Sequence, residues 1–169
     1  MKKIHLIRHA KSSWEDDSLG DIARPLNKRG KKTCRAMAQH IADAGCCFDH
    51  IFCSPAARAQ ATIERISKSL NLNLEVGLQW QTAEQLYTFE SEFLLAWCRT
   101  LDESIIEPLI IGHNSALTDF CNAISNSTVK NIPTCGYAQL SLNKDCSWQE
   151  LAEGAAELTV FLRPKKMIK

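Results

Sequence analysis

Two arginines and two histidines follow apolar stretches of this chain, at the points where strands would give way to loops or helices. Arg8 and His9 come directly after the apolar residues 4–7, Arg58 lies shortly after residues 48–53, and His113 comes shortly after residues 109–111. The carboxyl ends of parallel strands meet at one edge of a sheet, where open α/β proteins bind ligands. We therefore expect these four side chains to converge on one site.

The expected site suits a compact phosphate dianion. Guanidinium groups match phosphoryl oxygens with paired hydrogen bonds and stay charged at all ordinary pH values. Ser54-Pro55 and Asn114-Ser115 predict the N-termini of two helices, with the serine or asparagine as the cap. The free N–H groups of a helix N-terminus favour a bound anion.

His9 is the candidate nucleophile. A neutral imidazole nitrogen can attack phosphorus and carry the phosphoryl group, which splits one difficult step into two easier ones. The positive charges of Arg8 and Arg58 should favour the neutral form of His9. Phosphoryl transfer otherwise depends on positioning and on neutralising charge, which Arg8, Arg58 and His113 can supply.

Strands alternate with amphipathic helices along the chain, which predicts an α/β sandwich of three layers, α/β/α. The sheet should have about six mostly parallel strands, with helices on both faces. Strands are expected at residues 4–7, 48–53, 72–76, 109–111, 137–142 and 158–162. Asn27 can cap the first long helix, which Gly45 ends. A later helix over residues 90–101 should bury Phe93, Leu94, Trp97 and Leu101.

Length and charge narrow the class of protein. The 169 residues predict one domain spanning residues 1–169, and a formal net charge of +1 indicates neither a broad nucleic-acid surface nor a membrane surface. The basic residues 163–169 are interpreted as a solvated end. No apolar run reaches the roughly 20 residues that a membrane helix needs, so a cytoplasmic location is expected. The eight cysteines are expected to be reduced thiols, several of them buried, without metal-ligand spacing.

Four motifs, in this order, resemble the histidine phosphatase superfamily, which is phosphoglycerate mutase-like in fold, and within it the small SixA-type phosphohistidine phosphatases. They are Arg8-His9-Ala10, the Arg-Pro-Leu-Asn-Lys-Arg-Gly segment at residues 24–30, the Ser-Pro-Ala-Ala-Arg segment at residues 54–58, and Gly-His-Asn at residues 112–114. The resemblance implies that His9 is the phosphorylated nucleophile. It also implies that Arg8, Arg58 and His113 form the phosphate pocket, without a metal or other cofactor.

Glu84 is the candidate proton donor. Larger members of the superfamily carry an acidic donor after the third strand, and Glu84 lies in about that region of this chain. An alcohol leaving group needs such a proton, whereas the imidazole of a phosphohistidine is a better leaving group. Glu84 is therefore either a general acid or an ordinary loop residue.

Three functions remain open at this point. A phosphatase acting on a phosphorylated protein, with phosphohistidine as the first choice, agrees with the small size and the open pocket expected. A phosphatase of small phosphomonoesters or sugar phosphates is the nearest alternative, and it would need Glu84 in the pocket. A module that binds phosphate without turnover is the third.

Overall fold

A central sheet of mixed direction organises the protein. A computed structural model describes residues 1–70 and 77–168, and within them six strands form one sheet. The strands are β1 (Lys3–Arg8), β2 (His50–Cys53), β3 (Gln81–Thr82), β4 (Pro108–Gly112), β5 (Tyr137–Leu142) and β6 (Ala156–Leu162). Their order is β3-β2-β4-β1-β5-β6, and β5 alone runs against its neighbours. The prediction of a mostly parallel sheet is confirmed.

Helices cover both faces of the sheet. They are α1 (Lys28–Asp43), α2 (Ala57–Ser69), α3 (Ser91–Cys98), α4 (Ala116–Ser125) and the short α5 (Pro164–Met167). Successive side chains of a strand point to opposite faces, and Leu6 and Ile7 of β1 accordingly enter different apolar clusters. Ile7 packs with residues of α1 and α2, and Leu6 packs with residues of α3 and α4. The predicted three-layer sandwich is therefore confirmed.

The first long helix begins as its sequence predicts. The side chain of Asn27 accepts a hydrogen bond from the backbone N–H of Gly30, with 2.8 Å between Oδ1 and N. Gly30 packs directly against the loop that follows β1, because a Cβ at this position would lie 2.2 Å from the carbonyl oxygen of Lys11. Only glycine allows this approach, which ties α1 to the segment just after His9.

Several local predictions need correction. The expected strand at residues 72–76 lies outside the described residues. The helix predicted over residues 90–101 is shorter, Ser91–Cys98, and the prediction that Phe93 is buried is wrong. Leu94 and Cys98 form the buried stripe of α3, and Phe93, one position off that stripe, is 61% exposed.

The expected cap at Ser54-Pro55 is also wrong. Helix α2 begins at Ala57, and its N-cap residue, Ala56, makes no side-chain cap. The hydroxyl of Ser54 accepts from the N–H of Ala56 in a local turn and contacts His113 as well. At α4 the caps predicted were Asn114 and Ser115. Asn114 Oδ1 accepts a hydrogen bond from the backbone N–H of Thr118, whereas the side chain of Ser115 makes no cap.

No helix among the described residues is both long enough and apolar enough to cross a membrane.

Candidate active site

Three neighbouring strands bring their carboxyl ends to one edge of the sheet. The backbone N–H of His9, just after β1, donates to the carbonyl oxygen of Gly112 in β4 across 3.1 Å. On the other side of β4, the N–H of Ser54, just after β2, donates to the carbonyl oxygen of Ile111, also across 3.1 Å. The three strands therefore end at nearly the same level, and His113 follows the central one of them.

His9 is held in one tautomer, with its unprotonated nitrogen facing the site. Its Nδ1 lies 2.7 Å from the carbonyl oxygen of Ala10, which can only accept, so Nδ1 carries the proton. Its Nε2 lies 3.3 Å from Nε of Arg58, and a guanidinium can only donate, so Nε2 is the acceptor. The unprotonated Nε2 is the atom that can attack phosphorus.

Arg58 lies at the centre of the site and contacts residues on both sides of it. It is the second residue of α2 and is 1% exposed, so its charge is held out of water by the surrounding protein. Its Nε faces His9, and its Nη2 donates to Nδ1 of His113 across 3.3 Å. On its other side, Nη1 donates to the carbonyl oxygen of Asp21 across 2.7 Å, and Nη2 donates to the Asp21 carboxylate across 3.0 Å.

His113 is fixed in the opposite tautomer. Because Nδ1 accepts from Arg58, the proton lies on Nε2, which donates to the hydroxyl of Ser54 across 2.7 Å. The ring lies edge-on to Tyr87, with 5.4 Å between the ring centroids, and 5.1 Å from the ring of His9. Both histidines therefore face the same small space beside Arg58.

Arg8 brings a second guanidinium to this edge. Its Nη1 donates to the carbonyl oxygen of Ile132 across 3.0 Å. Its Nε is buried and has no hydrogen-bond partner among the described residues. A buried N–H without an acceptor costs free energy, so the donor is well suited to an anionic ligand bound at this edge.

The surroundings keep both histidines neutral. Burial, and then the positive charges of Arg58 and Arg8, lower the pKa of His9 to about 4. Burial also lowers the pKa of His113, to about 3, with a further contribution from the charge of Arg58. At neutral pH His9 Nε2 is unprotonated, and the positive charge of the site resides on its arginines.

Asp21 belongs to the site, although no motif or spacing in the sequence selects it. It lies in a 3₁₀ turn (Asp21–Ala23) of the long loop after β1. Its carboxylate accepts from Arg58, Arg24 and the hydroxyl of Tyr87. Burial opposes ionisation, but these hydrogen bonds and the charge of Arg58 outweigh it and lower the pKa of Asp21 to about 2. An ionised carboxylate thus contacts the central arginine.

Glu84 is not one of the residues that the structure brings together. It begins the 3₁₀ turn Glu84–Leu86, is exposed, and its carboxylate makes no hydrogen bond or ion pair with any described residue. The residue of this segment that reaches the site is Tyr87, through its contacts with Asp21 and His113. From the sequence, the signal for Tyr87 is only that it is a polar residue on a loop at the sheet edge where the site lies.

The cysteines lie apart from this chemistry. In the described part of the chain all eight are free thiols, and Cys34, Cys53, Cys98 and Cys121 are buried, as predicted. The described residues also contain no group of three or more histidine, cysteine or acidic side chains arranged to hold a metal ion. Whether the reaction proceeds without a metal stays a prediction.

Comparison with known proteins points to one family. A sequence model described as the histidine phosphatase superfamily (branch 1) matches residues 4–86, just under half of the chain, and this range includes Arg8, His9 and Arg58. The match supports a phosphatase of this superfamily. His113 lies outside the matched range, and its place beside Arg58 is seen only in the structure.

Solved structures share the fold of this phosphatase. The protein assigned as phosphohistidine phosphatase SixA from Nakamurella multipartitia aligns with a TM-score of 0.77 at 21% identity, covering 96% of each chain. The protein histidine phosphatase SixA complexed with tungstate aligns with a TM-score of 0.76 at 18% identity, covering 97% of this chain and 98% of that one. By sequence, an uncharacterised chloroplast protein of Arabidopsis thaliana is 29% identical over an alignment of 161 residues, and the alignment covers 88% of this chain and 70% of that protein.

Proposed function

We propose that this phosphatase hydrolyses phosphohistidine on a protein substrate through a phosphorylated His9. The observation that carries the proposal is the tautomer of His9: Ala10 holds the proton on Nδ1, and Nε2 presents its lone pair beside Arg58. Burial keeps that nitrogen unprotonated at neutral pH. A nucleophile of this kind needs no additional base.

The first step is attack of His9 Nε2 on phosphorus. As the new P–N bond forms, the bond from phosphorus to the substrate's imidazole nitrogen breaks, and its electron pair stays with that imidazole, which takes a proton from solvent. Arg58 moves the hydrogen bond of its Nε–H from His9 Nε2 to a phosphoryl oxygen, which frees the lone pair for attack. Arg8 donates to the phosphoryl oxygens as well, and His113 does so after its Nε2–H has rotated away from Ser54. In the second step water attacks phosphorus, the P–Nε2 bond breaks, and phosphate leaves.

One further observation supports a phosphohistidine rather than an alkyl phosphate as substrate. An alkoxide leaving group needs a proton donor within reach of the bridging oxygen, and Glu84, the candidate, has no contact with the site residues. A phosphate site in general agrees with the SixA protein of the same fold, which was solved with tungstate, a tetrahedral oxyanion of the same general shape as phosphate. We also propose a cytoplasmic location and a reaction without metal, so that a chelator leaves the rate unchanged.

The proposal is tested by phosphate release from a phosphohistidine peptide and from an alkyl phosphate, with His9→Ala as the blank. We expect the peptide to be the better substrate by a large factor in kcat/KM and the blank to be inactive. Preference for the alkyl phosphate would indicate a phosphatase of small phosphomonoesters instead. Binding of the phosphopeptide without release of phosphate would indicate a module that recognises the phosphate without turnover.

A further inference from the structure

A groove lined by cationic side chains lies beside the active site, and the proposed reaction does not use it. The groove has a volume of about 420 Å³ and lies between the start of α1, the segment 130–134 and the short helix α5. Its lining includes six cationic side chains and no acidic one: Lys11, Arg29, Lys130, Arg163, Lys165 and Lys166. We call these residues the basic groove.

None of these six cations is neutralised within the described residues. All six are exposed, and none takes part in an ion pair with a carboxylate of the described chain. The whole sequence has a formal charge of only +1, so the groove concentrates positive charge that is balanced elsewhere on the surface. A surface of one sign raises the local concentration of oppositely charged partners and steers their approach.

The fold holds the basic residues near the C-terminus in place beside the groove. The basic residues 163–168, expected from the sequence to be a solvated end, form α5 and its flanks, and Met167 and Ile168 pack against the apolar cluster beneath α1. The backbone N–H of Ile168 donates to the carbonyl oxygen of Pro164. The lysines of α5 are therefore held against the groove.

The groove and the active site share one chain segment as a wall, because residues 130, 131, 133 and 134 line the groove while the buried Ile132 between them contacts the active site. Ile132 lies in the segment 130–134, and its carbonyl oxygen accepts from Arg8 and from the side chain of Asn114, which follows His113. On the other flank, Lys11 is two residues beyond His9. A macromolecule that presents a phosphorylated side chain to His9 would therefore place its neighbouring surface on the groove.

We propose that the basic groove binds an acidic surface of the phosphorylated protein substrate, next to the residue that is dephosphorylated. This inference rests on the proposed function. Charge complementarity and the shared wall support a protein partner. A single-stranded nucleic acid is less well matched, because such ligands use aromatic platforms and the lining of the groove contains no aromatic ring.

The test uses two synthetic phosphohistidine peptides, one flanked by glutamates and the other by glutamines. The groove variant is Lys130→Glu with Lys165→Glu, and the control is Lys68→Glu with Lys144→Glu, which changes the net charge equally. Lys68 lies in the last turn of α2 and Lys144 in the turn after β5, and neither lines the groove. At low salt we expect the wild type and the control to prefer the glutamate peptide by about tenfold or more in kcat/KM. The groove variant should lose that preference while it hydrolyses the glutamine peptide at the control's rate.

A binding experiment separates this inference from the proposed function. Fluorescence anisotropy of the same two peptides without phosphate, on the same proteins, requires no turnover. Tighter binding of the glutamate peptide that the groove variant loses supports the groove even if no phosphate is released from any substrate. Equal binding of both peptides by the wild type, or a preference that the groove variant retains, would overturn the inference. Tighter binding of a single-stranded oligonucleotide of matched charge would overturn the choice of a protein partner.

Discussion

The carboxylate of Asp21 accepts a hydrogen bond from Nη2 of Arg58 across 3.0 Å, so the central cation of the site is paired with an anion from the loop after β1. The same loop carboxylate accepts from the hydroxyl of Tyr87. The Asp21 carboxylate should have two opposite effects on phosphate binding. It favours binding by orienting the guanidinium, and it opposes binding by placing a negative charge beside the phosphoryl dianion. Substitution of Asp21 can separate these two effects.

We expect Asp21→Asn to strengthen the binding of inorganic phosphate. The amide keeps an oxygen that can accept from Arg58 and Tyr87, but it removes the charge that repels the dianion. The inhibition constant of phosphate should fall about fivefold, which corresponds to the roughly 1 kcal/mol repulsion of two unit charges 4 Å apart in water. A rise in that constant would show that orientation of Arg58 by the carboxylate outweighs repulsion. Asp17→Asn, at another exposed acid of the same loop, is the matched control.

The titration of His9 is the second prediction. Since burial lowers its pKa to about 4, its imidazole should stay neutral in the folded protein from pH 8 to about pH 5. A histidine in an unfolded chain titrates near 6.5, so between these two pKa values the unfolded state binds more protons. The stability that this histidine contributes is therefore present above about pH 6.5 and is lost as the pH falls towards 4.

Proton NMR of the His9 ring, assigned with the spectrum of His9→Ala, measures this pKa directly. A midpoint near 4 agrees with the structure. A midpoint near 6.5 would mean that the ring is solvated and already partly protonated just below neutral pH. In that case only a fraction of the protein molecules would have an unprotonated Nε2 at slightly acidic pH.

Glu84→Gln should leave phosphohistidine hydrolysis unchanged. Its carboxylate makes no contact with the site residues, and a phosphohistidine does not require a donor of this kind. We expect kcat/KM within about twofold of the wild-type value, with Glu92→Gln on the exposed side of α3 as the control. A loss of kcat with an unchanged KM, confined to Glu84→Gln, would make Glu84 the general acid. The pH profile of kcat would then lose its alkaline limb.

Gly30→Ala should destabilise the fold. A methyl group there would lie 2.2 Å from the carbonyl oxygen of Lys11, which is backbone and cannot move aside cheaply. The expected loss is roughly 1–3 kcal/mol in the free energy of unfolding, as for other overpacked positions. Gly20→Ala is the control, because nothing lies within 4 Å of its Cβ and its φ of −67° suits alanine. Urea unfolding of both variants checks this, and equal stability of the two would contradict the close approach.

The sequence was sufficient to predict how strands bring the site together. Apolar runs that end in Arg8-His9 and Gly112-His113 identify the strand ends, and parallel pairing places those ends side by side. The start of α1 was also predictable, because Asn27 is a local cap whose partner, Gly30, is three residues away. These features depend on neighbouring residues or on one rule of sheet topology.

The contacts that complete the site depend on how loops far apart in the sequence pack together. The pattern of neighbouring residues does not predict such packing. Asp21 contacts Arg58, 37 residues later, and Tyr87, 66 residues later. Ser54 looked like a helix cap because its neighbours fit that pattern, yet its hydroxyl is needed by His113, 59 residues later. Phe93 was assigned to the core by hydrophobicity, but a helix of eight residues has a single narrow buried stripe.

The central claim is that Nε2 of His9 carries the phosphoryl group during turnover. We would mix the enzyme with radiolabelled phosphohistidine peptide, quench in alkali, in which phosphohistidine survives, and map the label by mass spectrometry of the peptide that contains His9. The label should appear on His9 in the wild type, be absent from His9→Ala, and accumulate in a variant that slows hydrolysis, such as His113→Ala. A label on another residue, or phosphate release by His9→Ala at the wild-type rate, would contradict the account.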